Sequence, residues 1–239
     1  MNDKARRKTI LSILSKTYPD AKIVLSYGSP WELLVAVMLS AQCTDKTVNK
    51  VTETLFKHYP TLKSYCSADP ATFEQQIKSA GFYHKKAKNI LNAAHRIQSE
   101  FGGVVPKTMN AILTLPGVAR KTANVVLGNA YGVVEGIAVD THVLRLSQRL
   151  RLVQLDKIGG KRVVFVTHQT MQQCNNETID FYKDASPEKI EAELMKIIPK
   201  NQWFTLTYQL IDHGRAVCKA QNPKCAACPL AFCCPVRRN

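Results

Sequence analysis

The chain has 239 residues, enough for one large domain or two small ones and for a core that needs no disulfide staples. Apolar residues make up 45% and charged residues 21%, the balance of a globular protein and not of a disordered one. The 33 Lys and Arg against 18 Asp and Glu leave a formal charge of +15, which points to a polyanionic partner, most simply nucleic acid. No apolar run approaches the ~20 residues that span a bilayer, and no small-residue cleavage site follows the basic, amphipathic N-terminus. Membrane, collagenous and secreted readings are excluded. What remains is a soluble intracellular protein with a nucleic-acid partner.

In chain order the periodic segments read as helix after helix. Ser29-Pro30-Trp31-Glu32 is a capping box with Pro at the first helical position, opening an apolar run to Ala41. Asp45 can cap the next helix, whose Val48, Val51, Leu55 and Tyr59 recur at helical spacing. Asp69-Pro70 starts another, lined by Phe73 and Ile77 and stopped by Gly81. Ala87, Ile90, Leu91, Ala94 and Ile97 form a long stripe ending at Gly102-Gly103. A short helix at Met109–Leu113 leads through Leu115-Pro116-Gly117 into a helical Lys121–Ala130. Asp140 can cap Thr141–Arg151, Ser186-Pro187 opens a helix through Ile198, and Asn201–His213 is closed by Gly214. Arg162–Thr167 is the one β-branched run, a short strand or a helical turn. Gln154–Ala185 is the least regular stretch and reads as a long connection. The fold class is all-α.

Three constellations carry chemistry. In Leu113–Ala123 (LTLPGVARKTA) a helix, a tight Pro-Gly hairpin and a second helix would aim backbone N–H groups at one outside point. Such amides bind a phosphate without reading a base, and Arg120-Lys121 at the mouth favours that over a plain helical corner. Lys121 begins a helix, where the macrodipole disfavours positive charge and should help lower its pKa; a lysine that is neutral part of the time is a carbon nucleophile. Asp140 could activate such a lysine or simply cap its helix, and the two roles are compatible.

The third constellation lies in the cysteines. Of the eight, five crowd the stretch from Cys218 to Cys234, and in a reducing compartment clustered thiols bind metal more often than they pair. The spacing Cys218-x6-Cys225-x2-Cys228-x5-Cys234 has one close pair only, and it is not the ferredoxin pattern. Spacing alone leaves four-thiolate zinc and a [4Fe–4S] cluster both open.

LPGVARKTA resembles the helix–hairpin–helix of the endonuclease III family of DNA glycosylases. Three further segments match that family in order: Leu39–Asp45 (LSAQCTD), Val139–His142 (VDTH) and the cysteine cluster. The resemblance implies two helical domains, one at 23–135 holding the hairpin, the other built from 1–22 and 136–239 and ending in the cluster. It implies that Lys121 attacks the sugar C1′ with Asp140 as its essential partner. A [4Fe–4S] cluster would sit on Cys218, Cys225, Cys228 and Cys234, with Cys233 left out. Leu115, Gly117, Val118, Ala119 and Arg120 would meet the DNA backbone. Gln42 would fill the gap left by a flipped-out nucleotide, and His142 would face the same DNA; flipping is needed because the glycosidic carbon is inaccessible inside the stack. Phe82 stands where relatives carry an apolar wedge.

The implied activity is a bifunctional glycosylase and abasic-site lyase excising oxidised pyrimidines, acting as a monomer on double-stranded DNA with a damaged base or abasic site. Rival readings are a water-using adenine or mismatch glycosylase, which would lack Lys121, and a non-catalytic, zinc-containing DNA binder, which would not need Asp140. Two features depart from the family. Ala119 replaces a usual second glycine, which would cost roughly 1 kcal/mol if that position needs positive φ. Gln154–Ala185 is longer than the corresponding connection.

Overall fold

The structure, a computed structural model, describes residues 2–166 and 178–236. The chain divides into two compact units, one of residues 23–135 and one of residues 1–22 with 136–239. In chain order the helices are α1 (Asp3–Thr17), α2 (Pro30–Leu39), α3 (Asp45–His58), α4 (Leu62–Cys66), α5 (Pro70–Gln76), α6 (Tyr83–Glu100), α7 (Met109–Ile112), α8 (Arg120–Tyr131), α9 (Thr141–Arg149), α10 (Pro187–Ile197) and α11 (Trp203–Ala216). Strands β1 (Lys161–Val166) and β2 (Thr178–Lys183) pair antiparallel, from Lys161 opposite Lys183 to Val166 opposite Thr178. The architecture is all-α apart from this hairpin.

In the 23–135 unit α2 is the central element. Eight of its ten residues are buried, from Trp31 through Leu33 to Leu39, so it reads apolar on every face. It packs against α3, α6 and α8. Ser29 caps it, accepting from the Glu32 amide at 3.2 Å, but the Glu32 carboxylate reaches the Gly28 amide at 2.5 Å and not that of Ser29, so the capping box is displaced by one residue. The helix stops at Leu39, short of Ala41, because the chain turns left-handed at Gln42. Thr44, not Asp45, caps α3: its Oγ1 accepts from the Thr47 amide, and Asp45 becomes the first helical residue. The expected helix over 70–81 ends at Gln76 and continues as a 3₁₀ turn, Lys78–Ala80, before Gly81.

The other unit is built on Ile10 and Leu14 of α1, Val143 and Leu146 of α9, Ile190 and Leu194 of α10, and Leu206 and Leu210 of α11. One expectation is corrected here and one open alternative is settled. First, α11 does not close at Gly214 but runs through it to Ala216. Gly214 lets α9 approach: a Cβ there would lie 2.6 Å from His142 Nδ1. Second, the β-branched run is a strand. Its Thr167 lies outside the described residues, as do residues 168–177 of the long connection. The hairpin docks on α9 through Gln148, whose amide accepts from the Tyr182 N–H at 2.7 Å and donates to the Tyr182 carbonyl at 3.2 Å, and Arg151 donates to the Asp180 carbonyl at 2.9 Å. No described helix is long and apolar enough to cross a membrane.

Candidate active site and cluster site

The hairpin joins α7 to α8 by a tight turn. Pro116 presets φ, Gly117 takes φ +77°, and the Val118 amide closes back on the Leu115 carbonyl at 3.2 Å, which are the marks of a type II turn. Leu115 and Val118 are buried and anchor the turn, each by roughly 1.5–3 kcal/mol of apolar burial. Arg96 of α6 donates to the Thr114 carbonyl at 2.7 Å and steadies the entry. Gly117 and Ala119 are left exposed, with Arg120 and Lys121 half-buried. Only glycine fits at 117, since a Cβ would lie 2.7 Å from the Asn89 side chain. At Ala119 the backbone is extended, φ −94° and ψ 169°, so alanine carries no strain there. Ala119 offers no side-chain cap, and α8 opens without one.

Asp140 belongs to the other unit. Its backbone is extended, and its Oδ1 accepts from the Val143 amide at 2.8 Å as the N-cap of α9. Capping thus occupies one carboxylate oxygen and fixes where the other points. His142 is half-buried on the same helix, its Nδ1 3.2 Å from an Arg145 guanidinium nitrogen that also donates to the Gly214 and Cys218 carbonyls. Gln42 sits exposed in a left-handed turn at φ +53°, and Phe82 is left-handed at φ +48° and 69% exposed.

After α11 the chain wraps a cavity of 310 Å³ whose lining includes Cys218, Cys225, Cys228 and Cys234. Cys233 turns the other way: it is buried in the core, and its Sγ donates to the Leu230 carbonyl at 3.4 Å. Burial pushes the Cys234 thiol up to about 11, and the facing Cys218, Cys228 and Cys225 add to the rise. Burial also raises the Cys228 thiol. Four sulfurs crowded this way cannot all ionise unless positive charge joins them. Arg149 Nη1 donates toward one of them, 3.4 Å from Cys218 Sγ, and His213 Nε2 pairs with another, 3.6 Å from Cys228 Sγ. Burial holds the His213 imidazole down, to about 4, so it is neutral at physiological pH, with Tyr18 Oη against its Nδ1 at 3.1 Å.

Among the described residues no three His, Cys, Asp or Glu side chains converge on one point as ligands of a single ion. Four thiol side chains line one cavity, with basic groups beside them. The donor set fits a polynuclear cluster. Spacing gave Cys234 no advantage over Cys233, while their orientations separate the two. Arg145, Arg149 and His213 escape sequence reasoning; the only signal is Arg at i and i+4 on the helix that Asp140 caps.

Residues 35–162 match the profile of the HhH-GPD superfamily base excision DNA repair protein, and residues 218–234 that of the iron-sulfur binding domain of endonuclease III. The chain is 46% identical over 232 residues to endonuclease III of Synechocystis sp., an alignment covering 97% of this chain and 93% of that protein. It is 41% identical to endonuclease III of Bacillus subtilis, covering 94% and 89%. The structure superposes on a non-covalent endonuclease III–DNA complex with a TM-score of 0.83 at 39% identity, covering 99% of this chain and 97% of that one. A trapped endonuclease III–DNA covalent intermediate gives the same TM-score, identity and coverage. The fold and site thus define a helix–hairpin–helix base excision repair protein. Within that class the chain belongs to the endonuclease III family. It is an enzyme, a DNA glycosylase with abasic-site lyase activity, and its cofactor is a [4Fe–4S] cluster.

Proposed function

We propose that this chain excises oxidised pyrimidines from duplex DNA with Lys121 as nucleophile and Asp140 as its carboxylate partner. The observation that carries the reading is Lys121 in the first turn of α8, directly after the phosphate-binding type of turn at Gly117, in a chain that also holds VDTH. The Lys121 amine forms a bond to C1′ while the glycosidic bond breaks, its electron pair leaving with the base, which takes up a proton. Asp140 accepts a proton from the amine and balances the charge that develops on the sugar. Ring opening gives a protonated Schiff base. Loss of a C2′ proton then expels the 3′ phosphate, and water releases Lys121. Leu115–Arg120 holds the backbone by contacts that carry no sequence information. Gln42 and Phe82 occupy the duplex beside the extruded nucleotide, and His142 lies toward the same DNA. The two domains of this reading are residues 23–135, with the hairpin and Lys121, and residues 1–22 with 136–239, with Asp140 and the cluster.

Cys218, Cys225, Cys228 and Cys234 would hold the cluster, with Cys233 a core residue. When bound, the cluster supplies four iron–thiolate bonds that fix the loop after α11. That loop carries Lys219 and Lys224 as basic groups for DNA. The setting is inside the cell, with the DNA it repairs.

Borohydride trapping tests the reading. The wild-type protein reduced on an abasic duplex leaves a covalent adduct, and Lys121→Gln leaves none while still binding DNA. Asp140→Asn loses most base release yet keeps some trapping on a preformed abasic site. Undiminished trapping by Lys121→Gln would move the nucleophile elsewhere. Base release by wild type without any trapping would favour a water-using glycosylase.

A further inference from the structure

Lys86 is one of two buried basic side chains among the described residues, the other being Arg6: it lies on the buried face of α6, 8% exposed. Burial lowers its pKa, opposed by nearby Cys43. Its Nζ donates to the Leu39 carbonyl at 2.8 Å and to the Ala80 carbonyl at 2.9 Å. Both acceptors are the last residues of their elements, α2 and the 3₁₀ turn before Gly81. Helix-end carbonyls lack intrahelical partners and carry partial negative charge, so an ammonium is the natural ligand for two of them at once. One nitrogen therefore holds the two chain ends within about two hydrogen-bond lengths of each other.

The same kind of feature lies just past both ends. Three residues beyond Leu39 the chain turns left-handed at exposed Gln42, and two beyond Ala80 it turns left-handed at exposed Phe82. These are two of only a few non-glycine residues with positive φ among the described residues, and a bulky side chain there is strained. Such strain persists where neighbouring structure over-determines the backbone, and Lys86 is the group common to both turns. We propose that Lys86 is a positioning residue that sets the two turns carrying Gln42 and Phe82 in mutual register, so that both side chains enter the duplex together.

The inference rests on the wedge reading of Gln42 and Phe82, and a mutant cycle separates the two. Single-turnover base release is measured on a lesion duplex, with 2-aminopurine opposite the lesion to report unstacking. Lys86→Met keeps the stem but removes the donors. It should slow base release about tenfold and weaken the fluorescence rise, whereas Lys86→Arg, which keeps donors, should recover part of both. Gln42→Ala with Phe82→Ala should slow release at least as much. On that background, Lys86→Met should cost less than about a further twofold, because the positioned groups are gone. A full, multiplicative loss on that background overturns the inference and leaves the wedge reading standing. A wild-type rate for the double alanine variant overturns the wedge reading and the inference with it. If Lys86→Met loses its cooperative unfolding transition, Lys86→Gln carries the same cycle.

Discussion

Among the turns of residues 23–135 that place a residue at positive φ, the hairpin and the turns at Gln42 and Phe82 fill it differently. The hairpin uses glycine, Gly117 at φ +77°; the other two use Gln42 at +53° and Phe82 at +48°. A left-handed L-residue costs about 1–2 kcal/mol, which glycine avoids. Where the backbone amides make the contact, as at the hairpin, the chain removes the side chain and the strain together. At Gln42 and Phe82, where glycine would be easier, the proposed function makes the side chain the purpose of the turn. On the proposed function, the contrast divides the DNA-facing surface into contacts carried by backbone and contacts carried by side chains.

The cluster loop lies at the side-chain end of this comparison, and there the largest effect is expected. Cys234 lines the 310 Å³ cavity with three other cysteines, whereas Cys233 is 5% exposed and bonded to a core carbonyl. Cys234→Ser should lose the yellow-brown colour and most of the iron. Cys233→Ser should keep both, since a hydroxyl can still donate to Leu230, at a cost of about 1 kcal/mol in denaturant unfolding. The reverse pattern would move the fourth ligand by one residue.

Gly117→Arg tests the backbone end. The new Cβ meets Asn89 and the backbone is held at positive φ, so stability should fall by about 1–3 kcal/mol. DNA affinity should fall as well, by about tenfold, despite the added positive charge. Because amides on phosphate read no base, the loss should be similar across duplex sequences at each salt concentration. A loss confined to one base context would mean that the hairpin reads bases, and the comparison would break there.

The same contrast explains what could be read from the chain. The hairpin was legible because Pro-Gly between two helical periods has one physical solution, and the caps at Ser29, Asp69, Asp140 and Ser186 come from short polar side chains before apolar runs. The left-handed turns at Gln42 and Phe82 were not legible, since neither residue signals positive φ. Only the clamp at Lys86, one turn into the helix that Phe82 caps, shows what ties together the chain ends before them. Gly214 looked like a stop because glycine usually is one; its reason lies across the helix pair, at His142. Arg149 and His213 meet the cysteines only once α9 and α11 pack together. Strand β2 does alternate, with Ile179 and Phe181 between polar neighbours, but it stands in a stretch whose other residues suppress the period.

The smallest effect is the sharpest test of the comparison. Gln42→Gly and Phe82→Gly remove the strain together with the side chain. Glycine also enlarges the unfolded ensemble, which offsets part of the gain, so each should stabilise the protein by about 0.5–1 kcal/mol in denaturant unfolding. Phe82 is 69% exposed, so little packing is lost at its turn. Base release in single turnover should nevertheless slow in both variants, while a cooperative unfolding transition shows an intact fold. Stability rising as activity falls is the expected mark of a position held for function. If either variant is instead less stable, its side chain is held in place by packing, and that turn belongs with the ordinary structural loops. If stability rises and base release is unchanged, the strain is incidental, and the division between backbone-carried and side-chain-carried contacts fails at that turn.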